Sequence, residues 1–282
     1  PPHPRTPAMI TNGGCRTSVL WAFPTTNEMT TPNGIGRYNH FDGGQSIYWS
    51  PATGAHEIHG SIRDKWAAMG WETSILGFPK TDELFGRTTK ARYSDFQGGS
   101  IYWSPATGAH EIHGSINVLW VQRGRDKKDG LGLPTTDELS TPNKPGRYNH
   151  FQNGSIYWSP DTGAHEVHGS IRDKWAAMGW ENSLLGFPKT DELTTPNGVG
   201  RYNHFQGGSI YWSPATGAHE VHGSIRDRWA SLGWETSQLG FPTSDEYAIA
   251  GGGRRTDFQN NCFIRWYPST GAQAVCNSVP KF

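Results

Sequence analysis

Four copies of a His-Glu-x-His tetrad, at 56–59, 110–113, 165–168 and 219–222, are the residues of this chain that first suggest chemistry. Zinc proteases place two His four apart on a helix, with the Glu between them as base. Here the two His are three apart in a stretch that reads as a strand, so their imidazoles point to opposite faces. No metal is therefore assigned, and the first His of each tetrad is expected to pack near the hairpin tryptophan. Paired acids recur too, at Asp82-Glu83, Asp137-Glu138, Asp191-Glu192 and Asp245-Glu246, with Asn27-Glu28 in the first copy. Glycoside hydrolysis uses two carboxylates, but an active site is a single unsymmetrical pocket and these pairs are copied along the chain. Neither a Gly-x-Ser-x-Gly elbow nor a phosphate loop is present. No catalytic residue and no cofactor are assigned. The Glu of each pair is instead expected to bond backbone groups at a junction between units.

A different set fits ligand binding better: Tyr48, Glu57 and His59; Tyr102, Glu111 and His113; Tyr157, Glu166 and His168; Tyr211, Glu220 and His222. Sugars present apolar C–H faces and hydroxyl edges, so their sites want an aromatic plate beside donors and acceptors. In the fifth copy these positions become Arg265, Ala274 and Cys276, while Ile264, Trp266 and Val275 keep the apolar pattern. Loss of the polar set with retention of the core marks a functional face. Trp71, Trp180 and Trp234 are second-line candidates, expected to pack at junctions. Arg123, Arg125, Lys127 and Lys128 read as a solvated basic turn.

The elements that position these residues follow from an internal repeat. Trp21-Ala22-Phe23-Pro24, Leu76-Gly77-Phe78-Pro79, Leu131-Gly132-Leu133-Pro134, Leu185-Gly186-Phe187-Pro188 and Leu239-Gly240-Phe241-Pro242 recur every 54 or 55 positions. Trp49, Trp103, Trp158, Trp212 and Trp266 keep the same beat. Within a unit, Arg201 to Phe205 alternates like a strand. Ser209–Trp212 and His219–His222 flank a turn that Pro214 opens and Gly217 closes, which predicts a β-hairpin. With a four-residue loop, Tyr211 would face Glu220 and Ile210 would face Val221. Tyr211, Glu220 and His222 would then form one polar face, with Ile210, Trp212 and Val221 on the core side. A short helix follows: Ser224 reads as its N-cap with Asp227 as capping partner, Ile225, Trp229 and Leu232 as its stripe, and Gly233 as its stop. The same pattern stands at Ser61, Ile62, Trp66, Met69 and Gly70.

These blocks resemble the LGFP repeat family: the tetrad, the following Glu, the Tyr-Trp-Ser-Pro block and the Thr-Gly-Ala-His block recur in order over nearly all the chain after residue 15. Such repeats are similar to those appended to mycoloyltransferases and other surface enzymes of mycolate-bearing bacteria. The resemblance implies attachment to cell-wall glycan. A chain made only of repeats looks like a stand-alone lectin version.

The expected fold is mainly β with short helices, five units of about 54 residues closed into a propeller-like ring. A Pro-rich tail is assigned to 1–14 and one repeat domain to 15–282, with units near 15–70, 71–124, 125–179, 180–233 and 234–282. The three cysteines lie in the terminal segments. Cys262 and Cys276 stand across one hairpin, and Cys15–Cys276 would join the chain's two ends; the sequence leaves the pairing open.

Hydrophobic residues make up 34% of the chain while Gly (36) and Trp (13) are plentiful, which suits small turn-rich units built around aromatics. A formal net charge of zero speaks against nucleic acid. No apolar run suffices for membrane insertion. The start at Pro1-Pro2-His3-Pro4 fits a mature secreted protein. The leading expectation is a multivalent, non-enzymatic lectin for cell-surface or cell-wall glycans. The alternative is an adhesion module that binds polymeric bacterial envelope glycan, and a hydrolase ranks third.

Overall fold

The computed structural model describes residues 23–87, 90–127 and 129–277. The class is as expected: among the described residues there are five four-stranded antiparallel sheets and four short α-helices, with every sheet open. Each sheet is a meander. In the first, a two-residue edge strand, Met29–Thr30, precedes Arg37–Phe41, Gln45–Ser50 and Gly54–His59. The hairpins of the next four sheets are Gly99–Ser104 with Gly108–His113, Gly154–Ser159 with Gly163–His168, Gly208–Ser213 with Gly217–His222, and Cys262–Tyr267 with Gly271–Cys276.

The hairpins exist where expected, but their register is one residue tighter. Ser213 pairs with Gly217, so the loop holds three residues, and Tyr211 faces His219 while Ile210 faces Glu220. The loop closes on itself: Thr216 N–H donates to Ser213 Oγ at 3.2 Å, and the two hydroxyls lie 2.8 Å apart. Gly217, at φ 78°, takes the left-handed conformation that the closure needs. Because side chains alternate with period two, a slip of one residue exchanges the faces of a whole strand. Tyr211 and Val221 therefore share one face with Ser209 and His219, and Ile210, Trp212, Glu220 and His222 share the other. The other three Tyr-bearing hairpins have the same register.

The helices are α1 (Gly60–Met69), α2 (Gly114–Gln122), α3 (Gly169–Met178) and α4 (Gly223–Leu232). Ser224 does not cap α4. The helix opens at Gly223, whose φ of 51° turns the strand directly into it, with His222 at the N-cap and no side-chain cap bond. Gly233 ends it as expected, at φ 101°, donating its N–H to the carbonyls of Ala230 and Trp229.

The chain forms two compact units. One takes residues up to Asn117, with 126–128 and 133–137; the other takes 118–125, 129–132 and 138 onward. In the first unit α1 lies between two sheets: its buried Ile62 and Trp66 meet Tyr48 and Ile58 on one side and Phe78, Phe96 and Ile101 on the other. In the second unit α3 sits in the same way between the third and fourth sheets. α4 joins the fourth sheet to the fifth through Ile225 and Trp229. Helices of about ten residues are marginal alone, so burial on both sides is what holds them. It also explains the strands of the fourth sheet, which is covered on both faces, so that Ile210, Tyr211 and Val221 are all buried.

The fifth hairpin carries a disulfide between Cys262 and Cys276, which stand opposite one another in register. Cys15 lies outside the described residues. No helix among the described residues is long and apolar enough to cross a membrane.

Candidate functional site

The last strand of a hairpin brings Glu57 and His59 to the same face, at the point where α1 begins. The chain then runs through α1 and the Leu76–Pro79 tetrad and delivers Glu83 to the same place. His59 Nδ1 donates to Glu57 Oε2 at 2.9 Å, and its Nε2 lies 3.3 Å from Glu83 Oε1. Glu57 also accepts the backbone N–H of Glu83 at 3.4 Å. Arg92 reaches Glu83 from the next sheet, Nε to Oε1 3.9 Å, and stands in register opposite Trp103. These groups border an open cavity of about 300 Å³ lined by His59, Ser61, Ile62, Glu83, Arg92 and Trp103.

The second unit repeats the arrangement twice. His222 Nδ1 donates to Glu220 at 2.8 Å, its Nε2 lies 3.3 Å from Glu246, and Arg254 Nε donates to Glu246 at 2.9 Å, in register opposite Trp266. His168 Nε2 lies 3.0 Å from Glu192, with Arg201 opposite Trp212. Hydrogen bonds to Glu57 and Glu83 push the His59 imidazole up to about 10, despite burial. His168 is raised by its bond to Glu192, and His222 by its bond to Glu220. The His59 imidazole is therefore a cation at neutral pH. Two carboxylates face one imidazolium and one guanidinium, so the cluster is charge-balanced and its cavity offers donors and acceptors without a strong field.

A second acid braces the first. Asp82 Oδ1 accepts the backbone N–H of Glu57 at 3.1 Å and lies 3.3 Å from His56 Nδ1. Asp137 does the same for Glu111 and His110 and adds an ion pair with Lys65 of α1. Burial alone would raise Asp137, but the bonds from His110 and Lys65 outweigh it and hold the carboxyl at about 2. Asp245 behaves alike with His219 and Lys174, also at about 2. The expectation that the Glu of each pair would bond backbone is thus corrected: the Asp takes the amide and the Glu takes the His.

A family model for the LGFP repeat matches five stretches of the chain, residues 22–74, 76–127, 131–183, 185–237 and 239–279. The chain belongs to the LGFP repeat family. No curated protein sequence matches it. Among solved structures, the wild-type TCP10 domain of Danio rerio CPAP is similar at 8% identity, with 88% of each chain covered and a TM-score of 0.22. The same domain with a peptide of Danio rerio STIL shares 12% identity over 88% of this chain and 92% of that one, TM-score 0.21. Dihydro-heme d1 dehydrogenase NirN shares 8% over 90% and 47%, TM-score 0.17. At such TM-scores these likenesses say nothing of this chain's shape or function.

Within the LGFP repeats, the residues picked from sequence divide. Glu57 with His59, Glu111 with His113 and Glu220 with His222 come together as bonded pairs. His168 turns to Glu192, while Glu166 lies 3.5 Å from Arg123 Nε. Tyr48, Tyr102, Tyr157 and Tyr211 sit on the opposite face and are buried, 1–3% exposed. The one-residue register change is the cause. Trp71 packs, as expected, against the core that joins the first two sheets, and it stacks on Tyr48 of its own repeat at 5.6 Å, with Arg63 5.1 Å from its ring. Trp180 and Trp234 do the same on Tyr157 and Tyr211. Arg123 is not a solvated turn residue, since it also pairs with Asp191. The residues that sequence reading missed are the arginines and tryptophans of the cavity. Their signal was an Arg at 37, 92, 147, 201 and 254, each at or next to the start of the strand before a hairpin. Among the described residues no three His, Cys, Asp or Glu converge as metal ligands.

Proposed function

We propose that this LGFP-repeat chain is a multivalent carbohydrate-binding protein that recognises cell-surface or cell-wall glycans at the junction cavities. One observation carries the reading: the Trp103 indole borders a 300 Å³ opening beside Arg92, Glu83 and His59, and the same four residue types meet again at Trp212 and Trp266. An indole offers the apolar plate for a sugar's C–H face, and fixed charged partners offer hydrogen bonds to its hydroxyl edge. Charge balance favours a neutral polyol over an ion. The carboxylates are engaged by imidazolium and guanidinium partners, which suits reversible binding and not acid–base hydrolysis. Several weak equivalent sites gain avidity on a glycan-coated surface. The Cys262–Cys276 disulfide fits a secreted, extracellular protein. A closed five-fold ring is the display we propose for these sites, and small-angle scattering separates it from an extended solenoid.

Glycan-array screening followed by calorimetry tests the function. Binding of more than one equivalent per chain is expected, with Trp103→Ala, Trp212→Ala and Trp266→Ala each removing one. A single site, or unchanged stoichiometry in all three variants, overturns the reading.

A further inference from the structure

Among the described residues the first sheet lacks a cover that later sheets have. In the second, fourth and fifth sheets the face bearing the hairpin Ile and Trp is covered by the preceding helix, through Trp66, Trp175 and Trp229. Among the described residues no helix covers that face of the first sheet. Ile47, Trp49 and Ala55 instead line an open groove of about 470 Å³, and Trp49 is 42% exposed. An apolar surface of this kind, rimmed by charge, is the mark of an interaction site.

The rim says what should fill it. Two of the covering helices send a cation to the Asp that braces the covered hairpin: Lys65 to Asp137 and Lys174 to Asp245. The corresponding acid of the first hairpin is Asp82. Among the described residues Asp82 meets His56 and the Glu57 amide but no lysine or arginine. The chain's own first residues do not spell the missing helix. At the offset that aligns Trp21 with Leu76, Pro7 and Thr11 stand where Ile62 and Trp66 would be, and Ile10 stands in place of Lys65. Nor can a folded second copy donate one, because Trp66, Trp120, Trp175 and Trp229 are all fully buried.

We infer that the open face of the first sheet docks an amphipathic helix of the Ile-x-x-Lys-Trp type carried by a partner polypeptide, its indole entering beside Trp49 and Ile47 and its ammonium pairing with Asp82. The mode is helix-in-groove recognition, with α1 on the second sheet as its template.

The probe is a fluorescein-labelled, end-capped peptide with the sequence of residues 59–75, titrated against the full chain and read by anisotropy. Saturable one-to-one binding is expected. Trp49→Ala in the chain should weaken it at least tenfold and Asp82→Asn about fivefold, with circular dichroism checking that both variants stay folded. On the peptide side, Trp66→Ala should abolish binding and Lys65→Ala should weaken it about fivefold while leaving the chain untouched. Absence of binding, or binding indifferent to both peptide changes, overturns the inference. So does binding that appears only after removal of residues 1–22, which would assign the face to the chain's own start. Self-association that depends on Trp49 would assign it to a second copy and overturn it too.

Discussion

The fourth and fifth hairpins share one register and one core but close their open ends differently. In the fourth, Gly208 faces His222, and the imidazole is held between Glu220 and Glu246 with Arg254 behind. In the fifth, Cys262 faces Cys276 and a disulfide makes the tie, while Ala274 stands where Glu220 would. The same scaffold position is therefore served by an ionic clasp or by a covalent one. A disulfide ties without presenting polar groups; the ionic clasp ties and also lines a cavity. That difference separates what the fold requires from what the site requires.

The harshest way to break the comparison is to remove what both hairpins share. Trp229 is fully buried between Tyr211 and Val221 of the fourth sheet and Phe258 and Ile264 of the fifth. Trp229→Ala should cost about 3–5 kcal/mol in chemical denaturation and loosen both hairpins together. Opening the disulfide acts on one hairpin alone. Cys262 and Cys276 are 14 residues apart, a loop whose closure is worth about 3 kcal/mol. Hydrogen exchange in the Cys262Ser/Cys276Ser double variant should quicken along the fifth hairpin and leave the strand 217–222 protected. Equal loss of protection in both would mean that the clasps are not local.

How much of this was legible in the sequence depends on period. The repeat, the Ile225/Trp229 stripe, the Gly233 stop and the existence of each hairpin follow from spacing and turn chemistry. The register did not, because it rests on whether the loop after Ser213 holds three residues or four, and polarity could not arbitrate. A strand with one wet face alternates, but Ser209 to Trp212 is packed on both sides, so Tyr211 and Ile210 are equally good core residues. The helix start was misplaced for a related reason: a Ser-x-x-Asp pattern reads as a capping box, whereas Gly223 at positive φ had already started the turn. The Glu and His of the site were found from residue type. Arg92 and Trp103 were not, since they come to His59 from a different repeat.

Glu246 sharpens the contrast at smaller cost. Its side chain is 7% exposed and serves both His222 and Arg254. Glu246→Gln leaves His222 and Arg254 each short of a carboxylate partner and should lose about 1–3 kcal/mol. It should also delete one glycan equivalent in calorimetry. Ala274→Glu should add none, because Cys276 is committed to the disulfide and offers no imidazole.

The smallest effect is a pH dependence that the two clasps should not share. His222 has its pKa raised above the ordinary 6.5 by its bond to Glu220, with burial opposing. A raised folded-state pKa means that the native protein holds its proton more tightly than the unfolded chain does. The stabilisation is therefore complete below about 6.5 and drains away as pH climbs through the raised folded value. His204, buried beside Arg226, has the opposite sign: its pKa falls to about 4, so folding is penalised as pH drops from 6.5 towards 4. Histidine ring NMR should then find His222 titrating above 6.5 and His204 neutral at pH 7. In His222→Gln the loss of stability as pH rises above about 6.5 should flatten, while the acid limb to which His204 contributes stays unchanged. The disulfide of the fifth hairpin has no proton to exchange and contributes no slope, so an alkaline limb that survives His222→Gln undiminished would remove the ionic clasp from the fourth.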